Sequence, residues 1–204
     1  MTRLPPPPQD FAALKPIVEN CAARELLRVA SDARTSWCRF NREPRNRFDA
    51  PAGQFGVMYA ALDLPTAFAE AVLREKPAST GAGLSVPLAL SALTTRSVVQ
   101  LEGQRDLRLI RLYDYGLAAV HTDNRISTVD DYPTTRLWAQ AFFQHPEQVD
   151  GLIYLSRYMA PRRSVALFDR CAHVIAPSKV TPLLQHPDLG QLIDEFGLAI
   201  DPES

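Results

Sequence analysis

Residues 56–61 read GVMYAA, and residues 63–65 read DLP. A compact apolar run of this length predicts a buried strand. An aspartate followed by a proline in the first turn is typical of a helix N-terminus. We therefore predict a strand from Gly56 to Ala61 that turns into a helix ending near Lys76, before Pro77.

Other apolar runs place further elements around this strand and helix. Gly151–Ser156 (GLIYLS) and Ser164–Phe168 (SVALF) predict two buried strands. A helix is predicted over Tyr132–Phe143, because its apolar residues lie on one side: Leu137, Trp138, Ala141 and Phe142. Further strands are predicted at Ser36–Phe40, Leu84–Leu93, Ser97–Leu101 and Arg108–Leu112.

The two ends of the chain carry weaker patterns. Pro5–Pro8 predicts an extended arm. Phe11–Ala30 is predicted to be helical, since apolar residues recur at spacings of three and four: Leu14, Ile17, Val18, Cys21, Leu26 and Val29. The polar, proline-containing segment Asn41–Ala52 predicts a loop, and Pro187–Leu198 contains one amphipathic helix.

These elements predict the fold class. Strands and helices mix without a regular βαβ alternation, and neither a GxGxxG turn nor a Walker loop is present. We expect an α+β single domain with a mixed central sheet. It would comprise an N-terminal arm and helix over residues 1–34, a catalytic region over 35–175, and a C-terminal helical tail over 176–204 packed on the same domain.

Composition narrows the function classes. The 204 residues are 46% hydrophobic with a net charge of -1, which indicates a globular core and no electrostatic footprint for nucleic acid or membrane. No signal-peptide core is visible, and the apolar stretch Gly83–Leu93 is too short to cross a bilayer, so we expect a cytoplasmic protein. Three scattered cysteines without a CxxC pair argue against disulfides and a metal site.

One carboxylate is a candidate for chemistry. Glu70 is the sole charged residue between Asp63 and Arg74, and small alanines flank it. Periodicity alone favours a surface glutamate paired with Arg74 at i+4. Tyr59 ends an apolar run eleven residues earlier, and there a core tyrosine is the simpler interpretation. A strand–turn–helix of this length can nevertheless bring both side chains to one end of the sheet.

Polar groups at two other places complete the candidate set. Four arginines lie between residues 39 and 47, and a guanidinium can grip phosphate with two hydrogen bonds. The strand at 151–156 ends in Ser156 and Arg157, which places a hydroxyl and a guanidinium at the sheet edge. Ser156 lacks a GxSxG setting, so we expect it to bind a ligand rather than to act as a nucleophile.

Together these motifs resemble the RES-domain family, named for its arginine, glutamate and serine. The family pattern of an arginine beside an aromatic residue matches Arg47 and also Arg39, and the strand ending in tyrosine matches Tyr59. The helix carrying glutamate matches Glu70, and "DG-x-x-Y-x-S" matches residues 150–156. The chain has Asn46-Arg-Phe-Asp where the family often has Gly-Arg-Trp-Asn. The resemblance covers residues 35–170.

The resemblance implies an ADP-ribosyltransferase-like fold and breakage of the nicotinamide–ribose bond of NAD⁺. Glu70, Arg47 and Tyr59 would be catalytic, and Arg39, Ser156 and Arg157 would bind substrate. NAD⁺ would be consumed as substrate rather than serve as a cofactor, with inorganic phosphate as co-substrate or water as acceptor. It also implies a toxin that pairs with a helix-turn-helix antitoxin and often dimerises. The alternatives are an ADP-ribosyltransferase acting on a protein and a non-catalytic nucleotide-binding module.

Overall fold

The computed structural model describes residues 3–33, 36–74 and 86–202. Its strands are β1 (Val18–Cys21), β2 (Leu27–Ser31), β3 (Val57–Ala61), β4 (Val86–Ala89), β5 (Arg96–Gly103), β6 (Leu107–Leu112), β7 (Gly151–Leu155), β8 (Arg163–Phe168), β9 (Ile175–Pro182) and β10 (Leu198–Asp201). Eight of them form one sheet in the order β1-β6-β7-β8-β3-β2-β5-β9. The other two, β10 and β4, pair in parallel as a small second sheet.

The helices lie between these strands and are mostly short: α1 (Leu64–Phe68), α2 (Ser91–Thr94), α3 (Tyr115–Ala119), α4 (Arg125–Thr128), α5 (Tyr132–Gln144) and α6 (Leu189–Glu195). Helix α1 continues directly into one π-helical turn, Ala69–Leu73. No helix in the described ranges is both long and apolar enough to cross a membrane.

The large sheet is mixed, and its centre is buried on both faces. Among its described strands, β6 and β7 alone pair in parallel. Leu152 and Tyr154 of β7 pack in one core cluster with Trp138 and Phe142 of α5, whereas Ile153 packs in a second cluster. Burial on both faces explains why the central strands are continuous apolar runs in the sequence.

The strands predicted at β3, β5, β6, β7 and β8 and the helices at α1, α5 and α6 are confirmed. The expected end of the first helix near Lys76 falls outside the described residues. Leu84–Leu93 is only partly a strand, because β4 covers Val86–Ala89 and α2 begins at Ser91. Ser36–Phe40 is not a strand; the chain there is irregular until Asn41 bridges Val57.

The helix predicted over Phe11–Ala30 is wrong. The segment holds two short 3₁₀ turns and the strands β1 and β2, which pair with β6 and β5. The apolar residues recur every three or four positions because β1, a 3₁₀ turn and β2 each bury a few of them, and this spacing imitates the pattern of a helix. In β2, Arg28, Val29 and Ala30 are all buried, so the alternation that marks a half-buried strand is missing.

The predicted region boundaries do not coincide with breaks in the structure. Strands β1 and β2 precede residue 35, and β9 begins at Ile175 and crosses the second boundary, yet all three belong to the same sheet as β3 and β8. The C-terminal segment does contain the expected helix, α6, but it also contributes β9 and β10. One sheet therefore runs through all three predicted regions.

A cleft opens where the pairing of β2 with β3 ends. Within the described part of the chain, the two strands are joined at one registered pair, Leu27 with Ala61. Beyond it, Arg28 to Ser31 pair with β5, and Val57 to Ala60 pair with β8. The strands diverge from that point, and residues of both line a cleft of about 860 Å³.

Candidate active site

The cleft is strongly basic. Of the described residues that line it, two are glutamates, Glu43 and Glu70, and seven are arginines: Arg28, Arg39, Arg45, Arg47, Arg74, Arg96 and Arg157. Walls of one charge sign focus the field and favour a ligand of the opposite sign. A volume near 860 Å³ lies within the range of small-molecule and cofactor sites. The cleft therefore suits an anionic ligand of nucleotide size.

Glu70 lies in the π turn that follows α1. Asp63 caps α1 by accepting from the backbone N–H of Thr66 at 2.9 Å, and this fixes where the helix begins. The half-buried Glu70 side chain reaches Ser156, whose Oγ donates to Glu70 Oε1 at 2.7 Å. Single π turns often occur at functional sites. The turn and Ser156 together hold one carboxylate in the basic cleft.

The electrostatic setting of Glu70 combines burial with nearby positive charge. Burial raises the pKa of the Glu70 carboxyl, while the hydrogen bond from Ser156 and the charges of Arg74 and Arg47 lower it in part. The predicted surface pair with Arg74 is not among the ion pairs of the described residues. Arg74 Nη1 instead donates to Asn46 Oδ1.

Tyr59 contributes its ring to the cleft and turns its hydroxyl into the protein. The hydroxyl oxygen accepts from the backbone N–H of Phe48 at 2.9 Å and donates to Asp49 Oδ1 at 2.9 Å. Both partners are fully buried, and burial raises the pKa of Tyr59 well above its usual value. The hydroxyl is therefore engaged away from the cleft, and the ring is the part that a ligand can meet.

Arg47 is 8% exposed, which is unusual for an arginine. Its Nη1 donates to the backbone oxygen of Val129 and, at 3.5 Å, to that of Ile126. The guanidinium lies 5.2 Å from the centre of the Tyr132 ring, and burial lowers its pKa. Arg47 is thus a fixed positive group in the cleft wall, with donors left for an anion.

The remaining predicted residues take different positions. Arg39 lines the cleft as an exposed loop residue, and Arg157 lines it while paired with Asp130. Ser156 is 1% exposed and lies behind Glu70, outside the set of lining residues. Its oxygen also accepts from the backbone N–H groups of Tyr158 and Met159, each at 3.2 Å. The structure thus joins Ser156 to Glu70, and Ser156 as a ligand contact stays a prediction.

Sequence reasoning missed Arg28. This residue of β2 is 8% exposed and lines the cleft on the side opposite β3. A buried arginine inside an apolar run, LLRVA, is the signal that could have identified it. The signal was lost because a helix was predicted there, and an arginine on a helix is ordinarily solvated. Tyr132 and Tyr158 also line the cleft and were not singled out.

The structure explains why the motif begins with Asp150 and Gly151. A Cβ at Gly151 would lie 2.4 Å from the backbone oxygen of Ala166, so the close approach of β7 and β8 requires glycine there. Asp150 accepts from two nitrogens of Arg105, at 2.6 and 2.9 Å, and from the backbone N–H of Arg108 at 2.9 Å. These residues fix the strand that ends at Ser156 and are not part of the cleft.

Known proteins resemble this chain in sequence and in fold. The chain is 28% identical to "Probable toxin y4kH" of Sinorhizobium fredii (strain NBRC 101917 / NGR234) over 129 residues, which are 63% of this chain and 99% of that protein. It also matches a chain in the crystal structure of the M. tuberculosis MbcT–MbcA toxin–antitoxin complex. That match has a TM-score of 0.61 and 16% identity, and it covers 86% of this chain and 92% of the other.

The sheet and the structural match confirm the predicted fold class, a single domain of helices and strands with a large mixed sheet. A family model described as the RES domain matches residues 25–188. This range includes β2 with Arg28, the π turn with Glu70 and the strand before Ser156. The chain therefore belongs to the RES-domain family.

Proposed function

We propose that this protein degrades NAD⁺ by cleaving the nicotinamide–ribose bond and passing the ADP-ribosyl group to inorganic phosphate or water. The observation that carries the proposal is the half-buried Glu70 carboxylate, held by Ser156 in a cleft lined by seven arginines. Such a cleft offers binding energy for a pyrophosphate and one negative group for a developing positive charge. Membership of the RES family and the toxin name of the relative support it.

The reaction would run through an oxocarbenium-like state, as in glycoside cleavage. The bond between ribose C1′ and the nicotinamide nitrogen breaks, and its electron pair leaves with nicotinamide. The Glu70 carboxylate stabilises the positive charge on the ribose. An oxygen of phosphate then attacks the same carbon, numbered C1″ in ADP-ribose, to give ADP-ribose-1″-phosphate; attack by water gives ADP-ribose and a proton.

The other residues of the cleft bind and orient in this proposal. The fixed guanidinium of Arg47 and that of Arg28 on the facing strand neutralise the pyrophosphate or the incoming phosphate. The Tyr59 ring offers a surface to nicotinamide or ribose. Arg39 and Arg157 add exposed positive charge that attracts the anion to the cleft.

We also propose that the protein is the toxin of a toxin–antitoxin pair, since its relative is named a probable toxin and its structural match is a toxin–antitoxin complex. The partner would be an antitoxin of the helix-turn-helix kind that closes the cleft. Co-expression of the neighbouring open reading frame should suppress any growth arrest that this chain causes. Arrest that persists with that frame expressed would contradict the pairing.

The test of the activity is incubation of the purified protein with NAD⁺, with and without phosphate, and identification of the products by mass. ADP-ribose-1″-phosphate means phosphorolysis, free ADP-ribose means hydrolysis, and covalently labelled protein means transfer to a macromolecule. The Glu70→Gln variant is the control for contaminating activity. Absence of nicotinamide release under every condition would contradict the proposal and leave a non-catalytic module.

A further inference from the structure

Asp49 is a buried carboxylate that the proposed mechanism does not use. It is fully buried and does not itself line the cleft. Its Oδ2 accepts from the backbone N–H groups of Arg45 at 2.9 Å and Asn46 at 2.5 Å, and its Oδ1 accepts from the Tyr59 hydroxyl at 2.9 Å. A charged group so deeply buried is costly unless several donors satisfy it, which is the case here.

These three bonds join the two parts of one cleft wall. The N–H donors belong to the turn that carries Arg47, and the hydroxyl belongs to the central strand β3. The same turn is tied outward through Asn46, whose Oδ1 accepts from Arg74 and whose backbone oxygen accepts from Arg136 at 3.0 Å. Loss of the carboxylate would leave the Asn46 N–H and the Tyr59 hydroxyl proton without their acceptor, whereas the Arg45 N–H would keep the backbone oxygen of Glu43 at 2.8 Å.

We propose that Asp49 is the positioning residue of this wall: it sets the Tyr59 ring and the turn bearing Arg47 in the geometry that the ligand requires. The proposal rests on the function proposed above for the identity of that ligand. Asp49 does not touch the ligand itself. It positions Tyr59 and Arg47, which in this proposal contact the ligand.

The chemistry of a carboxylate explains why aspartate suits this position. Both oxygens accept, so Asp49 satisfies the two amides on one side and the tyrosine hydroxyl on the other. Asparagine could keep its oxygen on the amides, but its NH₂ would then face the oxygen of Tyr59, and the hydroxyl proton would lose its acceptor. Asp49→Asn should therefore preserve the turn and release the ring, whereas Asp49→Ala should release both.

The experiment compares Asp49→Ala and Asp49→Asn with the wild type by steady-state kinetics on NAD⁺ and by hydrogen exchange of the backbone amides at 45–49. We expect kcat/KM to fall on the order of 100-fold for Asp49→Ala, with KM raised, and about tenfold for Asp49→Asn. Exchange at Asn46 should quicken in the alanine variant only, and exchange at Arg45 should change less because its N–H also donates to the backbone oxygen of Glu43. The double variant Asp49→Asn/Tyr59→Phe should lose less than the sum of its single changes, because both remove one bond.

Asp150→Asn is the matched control, since Asp150 is also a buried carboxylate but lies away from the cleft. It should lower stability and leave KM unchanged. An Asp49→Ala enzyme that folds and keeps the wild-type KM would overturn the proposal, as would additive effects in the double variant. If the wild type does not consume NAD⁺, the proposed function fails; unchanged exchange at Asn46 in Asp49→Ala would then overturn the positioning role separately.

Discussion

The two walls of the cleft are built in different ways. The wall formed by β3, the π turn and the 45–49 turn is closed by side-chain hydrogen bonds: Ser156 to Glu70, Tyr59 to Asp49, and Asp49 to two backbone amides. The facing wall, formed by β2 and β5, presents Arg28 and Arg96 from the strands. The first wall fixes a carboxylate and an aromatic ring beside Arg47, and the facing wall adds further positive charge.

This difference separates two tasks that a ligand cleft performs. A carboxylate that stabilises a transition state must be held to within a fraction of an ångström, and a shell of hydrogen bonds does that. Charge that binds phosphate acts over longer distances and tolerates small shifts. We therefore expect substitution of Glu70 to change mainly turnover and substitution of the arginines on either wall to change mainly binding.

The largest expected effect comes from Glu70→Gln. Removal of the stabilising charge should lower kcat by about 100- to 1000-fold, with the fold intact. Burial raises the pKa of Glu70 in the folded state, so stability is lost as the pH rises from the ordinary glutamate pKa through the raised one, and the loss is complete above it. The melting temperature of Glu70→Gln at neutral pH should therefore equal or exceed that of the wild type.

Nicotinamide release and thermal unfolding measure both effects. Glu147→Gln, at an exposed glutamate paired with Arg108, is the control and should keep wild-type activity. If Glu70→Gln turned over at the wild-type rate, the carboxylate would have no role in the chemistry.

Next in size are the buried arginines. Arg28→Ala and Arg47→Ala should each raise KM by roughly 10- to 100-fold, because a hydrogen bond to a charged group contributes about 1.5–3 kcal/mol. Arg39→Ala, at an exposed loop position, should cost less than about fivefold, in keeping with the small energies of exposed charges. Titration with ADP-ribose separates binding from turnover. A larger loss at Arg39 than at Arg28 would reverse the assignment of the two.

A smaller effect, visible in the pH profile, is expected for Ser156→Ala. In the proposed mechanism the carboxylate form of Glu70 is the active one, so we expect activity to fall as the pH drops through its raised pKa. The Ser156 hydroxyl lowers that pKa, and its removal should move the acid limb of kcat to higher pH. At neutral pH we expect a loss of about fivefold, the value of one hydrogen bond. An acid limb that stays in place would show that Ser156 does not act through Glu70.

The smallest effect is expected for Arg157→Ala. This exposed residue is already paired with Asp130, and the aspartate neutralises much of its positive charge. We expect less than a threefold change in KM, and that change should vanish at high salt because exposed charges are screened. Initial rates at two ionic strengths measure it. A tenfold loss that survives high salt would instead place Arg157 in direct contact with the ligand.

Local patterns predicted part of this structure. Strands β3, β7 and β8 could be predicted because central strands are apolar throughout, and α1 could be predicted because Asp63 and Pro65 mark its start. Glu70, Tyr59 and Arg47 were predicted from motifs whose order matches a family, and all three line the cleft. The π turn and the inward direction of the Tyr59 hydroxyl depend on tertiary hydrogen bonds that no local pattern encodes.

The N-terminal segment shows why other parts of the structure could not be predicted from the sequence. Strand β2 is interior to the sheet and buries residues on both faces, so its five residues carry neither a helical nor a strand period of their own. Arg28 was lost with it. The cleft could not be predicted from the sequence either. It arises because β2 and β3 share a single registered pair within the described chain, and register is a long-range property.

That single pair has a thermodynamic consequence. In the sheet order, five strands end at β3 and three begin at β2, and the two groups are joined by the pair Leu27–Ala61. A molecule that contacts both β2 and β3 would therefore connect the two groups where backbone hydrogen bonds between them are absent in the described chain. Binding energy gained across the gap stabilises the native state by mass action, by about 2.7 kcal/mol at a ligand concentration 100 times Kd. The protein should accordingly be harder to unfold when its cleft is filled, and a rise in melting temperature is the simplest signal with which to screen its ligands.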